Sequence, residues 1–278
     1  MRAAVKQAIT DIIPPLTDRL YDVQPPAEEA GEPYGIIVLG EEIWKSSWAG
    51  YRQVVRLKLS AGAAGLKQAD AWADALIAGL HHKRVASTDG PPFTLYYLGA
   101  REAERLEPAT GAAYRVLRFS VYRPERQAEP DIRTDGWLEA LADWTSRKLG
   151  GEWSVYHTAW PSGRADCSVL WRLAGCETRM AGASLYEVRK RFTGHVVGAD
   201  ASSELLAAVS LIEGLGAEVQ LLIDAEQRKY MSVAEITADL QADAFLEGQL
   251  HLTVVQRRMR PAEEAALIRR VDIHPILK

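Results

Sequence analysis

A stretch of 60 residues occurs twice in this chain, and this repeat constrains the fold more than any other feature. Residues 21–80 align without a gap on residues 156–215, and 13 of the 60 positions are identical. Unrelated sequences of ordinary composition would share about four. The identical pairs include Gly40/Gly175, Tyr51/Tyr186, Arg56/Arg191 and Leu76/Leu211. Because self-similarity at a fixed spacing marks a repeated structural unit, the sequence predicts two tandem copies of one domain.

Two strands are predicted in the first part of each copy. In the first copy, residues 34–39 are an apolar run that ends at Gly40. Residues 51–59 place Val55 and Leu57 on one face and Arg56 and Lys58 on the other. This alternation is typical of a strand with one buried face. Residues 41–50 are too few for a helical crossover, so the two strands are expected to form an antiparallel hairpin.

Helices and further strands complete the unit. Residues 67–80 have helical periodicity, with Trp72, Ala73, Leu76 and Leu80 on one face. An earlier helix is expected at residues 3–13 and should end before Pro14. Residues 93–98 and 114–122 are expected to be strands. Each copy is therefore predicted to be an α+β domain of order α-β-β-α-β-β, a mostly antiparallel sheet with helices packed on one face.

The second copy is expected to repeat this order from Asp135 onward, with one addition. Strands are predicted at 169–173, 185–192, 219–223 and 250–255, and a helix at 203–215. Residues 232–240 are predicted to be helical, because Ser232 and Glu235 have the spacing of a capping box. A short helix at 261–270 and an extended tail at 271–278 are expected to follow.

The domain boundaries follow from these elements. We predict a first domain at residues 1–124, a linker at 125–134, a second domain at 135–258, and a C-terminal helix and tail at 259–278. The linker assignment depends on a polar stretch that contains Pro130.

Composition limits the classes of function. The net charge is −4, which argues against a uniformly basic nucleic-acid-binding surface. Two cysteines do not make a disulfide framework, so a reducing compartment is expected. The first residues have no apolar core like that of a signal peptide, and no apolar run approaches the length of a membrane span.

Candidate chemical groups are few. His81 and His82 are adjacent, have no matching ligands nearby in the sequence, and are expected at a solvated helix end. Cys167 and Cys176 flank a predicted strand and are expected to be ordinary thiols. Three acids, Asp239, Asp243 and Glu247, recur at a spacing that fits a solvated helix face. No nucleotide-binding, nucleophile or metalloprotease motif occurs in the sequence. We therefore expect that the protein is not an enzyme and has no catalytic residue, metal or cofactor.

The candidate interface lies on the hairpins. Trp44 and Trp48 fall in the predicted connection, where they either fold back under the hairpin or form a protein interface, in which aromatic residues are enriched. The arginines on the polar faces of the strands are either simply solvated or meet an acidic partner. The candidate interface residues are Ile43, Trp44, Trp48, Arg52, Arg56, Arg189 and Arg191.

The order of elements resembles a family of phage proteins. A strand at Pro33–Gly40, a long hairpin to Tyr51–Leu59 and the helix Ala69–Leu80 are similar to those of tail terminator and tail completion proteins of long-tailed bacteriophages and phage-like particles. Such proteins are commonly single-domain, whereas this chain carries a duplication.

The resemblance implies a structural role in the virion tail or neck, with assembly in the host cytoplasm. The family forms a ring that caps the tail tube, stops its growth and joins it to the head connector. Three chains would supply six domains, and six chains would supply two tiers. The implied partners are other copies of the chain, the tail tube and the head connector, with no membrane and no sequence-specific nucleic acid, although DNA could pass through the ring. Alternatives are another connector or baseplate adaptor, or a small-molecule-binding or enzymatic α+β protein with a site between the copies.

Overall fold

The two repeats fold into two domains with the same order of elements. The structure is a computed structural model that describes residues 1–23, 33–87, 90–100, 105–106, 113–123 and 135–261. The first domain consists of α1 (Arg2–Ile12), β1 (Leu20–Tyr21), β2 (Tyr34–Ser46), β3 (Gly50–Ser60), α2 (Gly65–Leu80), β4 (Lys83–Val85), β5 (Phe93–Gly99), β6 (Arg105–Leu106) and β7 (Ala113–Arg123). The second consists of α3 (Gly136–Leu149), β8 (Ser154–His157), β9 (Ser168–Met180), β10 (Leu185–Val197), α4 (Ala201–Ala217), β11 (Gln220–Asp224), β12 (Lys229–Ala238) and β13 (Leu250–Met259).

The strand order of the two sheets is the same, which confirms the α+β fold and the duplication. The first sheet runs β1-β2-β3-β7-β5-β4, with β6 paired to β7, and the second runs β8-β9-β10-β13-β12-β11. Only the edge pairs β1/β2 and β8/β9 are parallel among the described strand pairs. Both domains thus contain the order α-β-β-α-β-β, with a short strand before the hairpin and another directly after the second helix. The first domain also has the short strand β6.

Each domain buries one face of its sheet against both of its helices. In the first domain, Leu57 and Leu59 of β3 share a core with Val5 of α1 and Leu76 of α2. Their polar neighbour Arg56 points away from this core and is exposed, as the alternation predicts. The second core is built in the same way around Trp171, which is fully buried.

The second core also contains a close approach that needs a glycine. A Cβ atom at Gly194 would lie 2.6 Å from the indole of Trp171. The indole Nε1 donates to Thr145 Oγ1 at 2.9 Å, and that hydroxyl donates to the Leu141 carbonyl at 2.8 Å. The largest buried side chain is therefore both packed and hydrogen-bonded.

The helix predicted at 232–240 is wrong, because residues 232–238 belong to strand β12 and residues 239 and 240 follow its end. The register of β12 shifts at a bulge between Val233 and Glu235. The core-facing residues therefore follow a spacing of two and then three, at Met231, Val233 and Ile236. A bulge that inserts one residue gives a strand the i, i+3 spacing of a helix. The acids at 239–247 consequently lie in a loop after the strand, not on a helix.

Other expectations fall partly outside the described residues. The predicted linker 125–134 and residues 262–278 of the predicted C-terminal helix and tail are among them. Within the described part of the chain, no helix is both long enough and apolar enough to cross a bilayer.

Candidate functional site

The β2–β3 hairpin of the first domain, here called the first hairpin, reaches the second domain of the same chain. Its strands are longer than predicted, so the turn comprises only residues 47–49. The Trp48 indole Nε1 donates to the Leu246 carbonyl at 3.1 Å, and the Trp160 amide donates to the Trp48 carbonyl at 3.0 Å. Ala49 is fully buried in a cluster with Trp160 and Phe245. The tip of the first hairpin is thus fixed by both backbone and side-chain contacts.

Stacked aromatic rings continue this contact across the domain boundary. Phe245 stacks on Trp160 of its own domain, with ring centroids 5.1 Å apart, and on Tyr122 of the first domain, at 4.3 Å. The loop that carries Phe245 is shaped by Asp243, whose Oδ1 accepts from the amides of Phe245 and Leu246 at 2.9 and 2.8 Å. The Asp243 side chain therefore holds the loop in the form that presents the ring.

Arg172 and His195 form the polar part of the same surface. The Arg172 guanidinium lies 4.0 Å above the centroid of the Trp48 ring, and its Nε donates to His195 Nε2 at 2.9 Å. Because an arginine has no acceptor, Nε2 must be unprotonated, so Nδ1 carries the hydrogen and donates to the Ala244 carbonyl at 3.0 Å. Burial, followed by the charge of Arg172, lowers the pKa of His195 to about 4. His195 is thus a neutral acceptor that orients Arg172 against the Trp48 ring.

Two other arginines cross the boundary in opposite directions. Arg84 on β4 donates to the Gly163 carbonyl at 3.1 Å and to the Arg164 carbonyl, and it pairs with Asp166 at 3.2 Å. Arg164 in turn donates to the Tyr96 hydroxyl of the first domain at 2.8 Å. Burial raises the pKa of Tyr96, so this hydroxyl is a neutral acceptor. We call the contacts of Trp48, Tyr122, Arg84, Arg164, Arg172 and Phe245 the junction.

A cavity of about 460 Å³ lies beside the junction and is lined by both domains. Three arginines reach it, and each already has partners within the chain. Arg84 and Arg164 make the contacts given above, and Arg123 pairs with Glu42 at 3.3 Å. Arg84 and Arg164 therefore hold the two domains together, whereas the Arg123 ion pair lies within the first domain.

The predicted interface residues of the first hairpin lie in different surroundings. Trp44 is 54% exposed and lies opposite Tyr51, and Ile43 is half-buried opposite Arg52. Trp48, by contrast, faces the second domain of its own chain. The structure therefore places one tryptophan in an intrachain contact and leaves the other accessible.

The predicted arginines lie on two separate sheets. Arg56 is exposed and in register with Arg118 of β7, and Arg52 lies opposite Tyr122. On the second sheet, Arg189 has acidic neighbours, with Glu187 at 3.6 Å and Glu177 at 3.8 Å, whereas Arg191 is exposed. The face of the first sheet is thus the more strongly basic of the two.

The remaining candidate groups do not assemble into a reactive site in the described part of the chain. Cys167 and Cys176 are free thiols. His81 and His82 contact each other, with ring centroids 4.2 Å apart, and burial lowers the pKa of both. No group of three His, Cys, Asp or Glu residues that could hold a metal ion occurs among the described residues.

Most of the residues that form the junction were missed from the sequence. These residues lie in loops or on polar strand faces, where no periodic pattern indicates a role. They are Trp160, Arg172, Phe245, Arg84 and Arg164. The only available signal was the presence of large aromatic residues outside the predicted elements, at Trp160 and Phe245.

Comparison with known proteins gives only weak structural likeness. No protein-family model and no curated protein matches the chain. One solved structure that it resembles is described as "Virion of native gene transfer agent (GTA) particle", with 23% sequence identity and a TM-score of 0.33. The match covers 44% of this chain and 92% of that chain, so it spans about as much sequence as one of the two domains. At this TM-score, the likeness carries no argument about function.

Proposed function

We propose that this chain is a structural protein of a phage or phage-like particle, and that it forms a ring that caps the tail tube and joins it to the head connector. The observation that carries the proposal is the junction, in which one copy of a repeated domain inserts its hairpin into a different surface of the next copy. Such a head-to-tail contact between like units produces rings when its rotation closes and filaments when it does not.

The junction has the composition of a stable protein interface. Aromatic rings and arginines occupy its centre, as they do at energetically important interface positions. Its backbone hydrogen bond, its stacked rings and its reciprocal arginine contacts each fix the orientation of one domain against the other. One chain therefore resembles two neighbouring subunits of a ring that have been linked covalently.

The stoichiometry and partners that we propose follow from the family resemblance. If six domains close the ring, three chains form it, and six chains would give two tiers. The other partners are the tail tube on one side and the head connector on the other, with DNA able to pass through the centre. We assign no reaction to the chain and no cofactor, membrane or sequence-specific nucleic acid as a partner. It would act in the virion tail or neck after assembly in the host cytoplasm.

The gene-transfer-agent structure belongs to a particle of the same general kind. Its description names a virion particle and gives no role for the matched chain. The proposal therefore depends on the junction and on the resemblance of the elements, not on that comparison.

The proposal is tested by deleting the gene from the genome that encodes the particle and imaging the resulting particles by electron microscopy. Overlong tails and heads without tails are expected, and a plasmid copy of the gene should restore normal particles. Tails of normal length joined to heads would refute the terminator role. Normal necks with defective distal tail ends would instead support a baseplate adaptor.

A further inference from the structure

A buried histidine lies directly behind the place where the first hairpin contacts the second domain. His195 is fully buried on β10, and its ring centroid lies 6.3 Å from that of Trp48 and 6.2 Å from that of Trp160. Both ring nitrogens are used, because Nε2 accepts from the Arg172 Nε–H group and Nδ1 donates to the Ala244 carbonyl. The imidazole therefore fits this position in one neutral tautomer.

A proton added to Nε2 of His195 would disrupt the contact with Arg172. The two nitrogens lie 2.9 Å apart, and with both carrying hydrogen neither could accept from the other. The imidazolium and the guanidinium would also be like charges in contact at a buried site, where their repulsion is strong. Because Nδ1 can keep its bond to the Ala244 carbonyl, Arg172 is the group that has to move.

Arg172 connects His195 to the first hairpin. Its guanidinium lies 4.0 Å from the centroid of the Trp48 ring, and its Nη2 donates to the Glu247 carbonyl at 3.3 Å. The same loop supplies the Leu246 carbonyl that accepts from the Trp48 indole. Displacing Arg172 therefore removes a cation–π contact with Trp48 and a hydrogen bond of the loop that receives it.

We propose that the junction is a pH-sensitive contact, in which a proton on His195 displaces Arg172 and releases the tip of the first hairpin from the second domain. Each domain keeps its own core in the released form. His195 lies on the opposite face of β10 from Val196, which packs in the core of the second domain. Loss of the proton restores the acceptor at Nε2 and with it the contact.

The other charged groups near the imidazole do not neutralise it when it is protonated. The first hairpin contributes the Trp48 ring, which is uncharged. Titratable groups of the second domain lie on β9, on β13 and in the loops after β8 and β12. They are Arg172, His251, Arg164, Asp243 and Glu247. Both of these acids accept from backbone amides, and no carboxylate among the described residues forms an ion pair with His195.

Hydrogen exchange of one amide at the junction tests the proposal in the full chain. The Trp160 amide donates to the Trp48 carbonyl at 3.0 Å and reports release of the hairpin. The nearby Thr158 amide donates to the Trp171 carbonyl at 2.9 Å within the second domain and is the matched control. Exchange of both is followed by NMR on ¹⁵N-labelled protein from pH 7 to pH 4.5 and corrected for the intrinsic rate at each pH.

The direction of the effect follows from the pKa of His195. It is about 4 in the contact and near 6.5 for an accessible histidine, so the contact is fully stabilised above pH 6.5 and weakens as the pH falls toward 4. Protection of the Trp160 amide should therefore fall about tenfold or more by pH 4.5, while that of Thr158 changes less. Equal protection of the Trp160 amide at both ends of the range would overturn the proposal.

Three variants assign the effect to the imidazole. In His195→Gln the amide can accept from Arg172 and donate to Ala244 without titrating, so the protection of the Trp160 amide should no longer depend on pH. His251→Gln, at an exposed position of β13, should keep the fall of the unmodified chain. A fall in His195→Gln as large as in the unmodified chain would refute the role of the imidazole.

Arg172→Met keeps the proposal falsifiable should His195→Gln fail to fold. Methionine can still pack against the Trp48 ring but has no hydrogen to oppose the proton on His195. The fall in protection between pH 7 and pH 4.5 should therefore be smaller than in the unmodified chain. A fall of the same size would show that the proton does not act through Arg172.

The two proposals fail separately, because this one concerns a contact within a single chain. A normal particle after gene deletion refutes the virion role and leaves the exchange data unaffected. Protection of the Trp160 amide that does not depend on pH refutes this inference and leaves the virion role intact.

Discussion

Removing the side chain of Trp48 should weaken the junction far more than removing that of Trp44, although the two residues lie on the same hairpin. The half-buried Trp48 indole donates a hydrogen bond to Leu246 and stacks on Arg172. Trp44 is 54% exposed and is paired across the strands with Tyr51. The pair therefore forms a matched comparison in which residue type and hairpin are constant and only the surroundings differ.

The expected magnitude follows from three contributions at Trp48. Burying about 100 Å² of the ring at about 25 cal/mol per Å² contributes about 2.5 kcal/mol. The hydrogen bond and the stacking on arginine contribute about 1 kcal/mol each. Trp48→Ala should therefore lower the free energy of unfolding by about 3 to 5 kcal/mol, the usual range for a large aromatic truncated in a packed site. Trp44→Ala should lower it by about 1 kcal/mol or less.

Urea unfolding followed by far-ultraviolet circular dichroism measures both variants without depending on tryptophan fluorescence. We expect a large loss for Trp48→Ala and a small one for Trp44→Ala, with native helix and strand content in both before denaturant is added. Equal losses for the two variants, or a larger loss for Trp44→Ala, would refute the role assigned to the first hairpin.

Three further predictions concern single residues. Burial and Arg172 lower the pKa of His195 to about 4 in the folded chain, whereas an unfolded histidine titrates near 6.5. The contribution of His195 to the free energy of unfolding, about 3 kcal/mol, should therefore be complete above pH 6.5 and lost as the pH falls toward 4. Urea unfolding at several pH values should show a flatter dependence in His195→Gln, and an unchanged slope would contradict this. Gly194→Ala should cost about 2 kcal/mol or more in the same assay, because the new methyl group lies 2.6 Å from the Trp171 ring, and an unchanged midpoint would show that the ring can move. Arg56→Glu should stabilise the chain by about 0.5 kcal/mol, because Arg56 lies in register with another arginine, and a loss of stability would contradict this interpretation.

The elements of the fold were predictable where local patterns determine them. The alternation in residues 51–59 and the helical spacing in 67–80 each specify a buried face, and the structure places Leu57 and Leu76 in one core. The repeat then carried the same elements to the second domain. Strand β12 was missed because its bulge converts the period of a strand into the spacing of a helix.

The junction was not predictable in the same way, because its contacts join distant parts of the chain. Trp48 and Leu246 are 198 residues apart, and their hydrogen bond depends on how two complete domains are placed. No periodic pattern in either segment encodes that placement. The hairpin was expected to carry interface residues, and that expectation stays a prediction. The loop with Phe245 that receives Trp48 has no repeated counterpart in the aligned 60 residues.

The mass and symmetry of the purified protein test the central claim most directly, namely that like domains contact head to tail both within and between chains. Native mass spectrometry combined with negative-stain images would measure both properties on one sample. We expect a closed ring of three or six chains of 30.7 kDa, in which successive domains are related by one rotation. A two-fold dimer, or a monomer at every concentration, would contradict it.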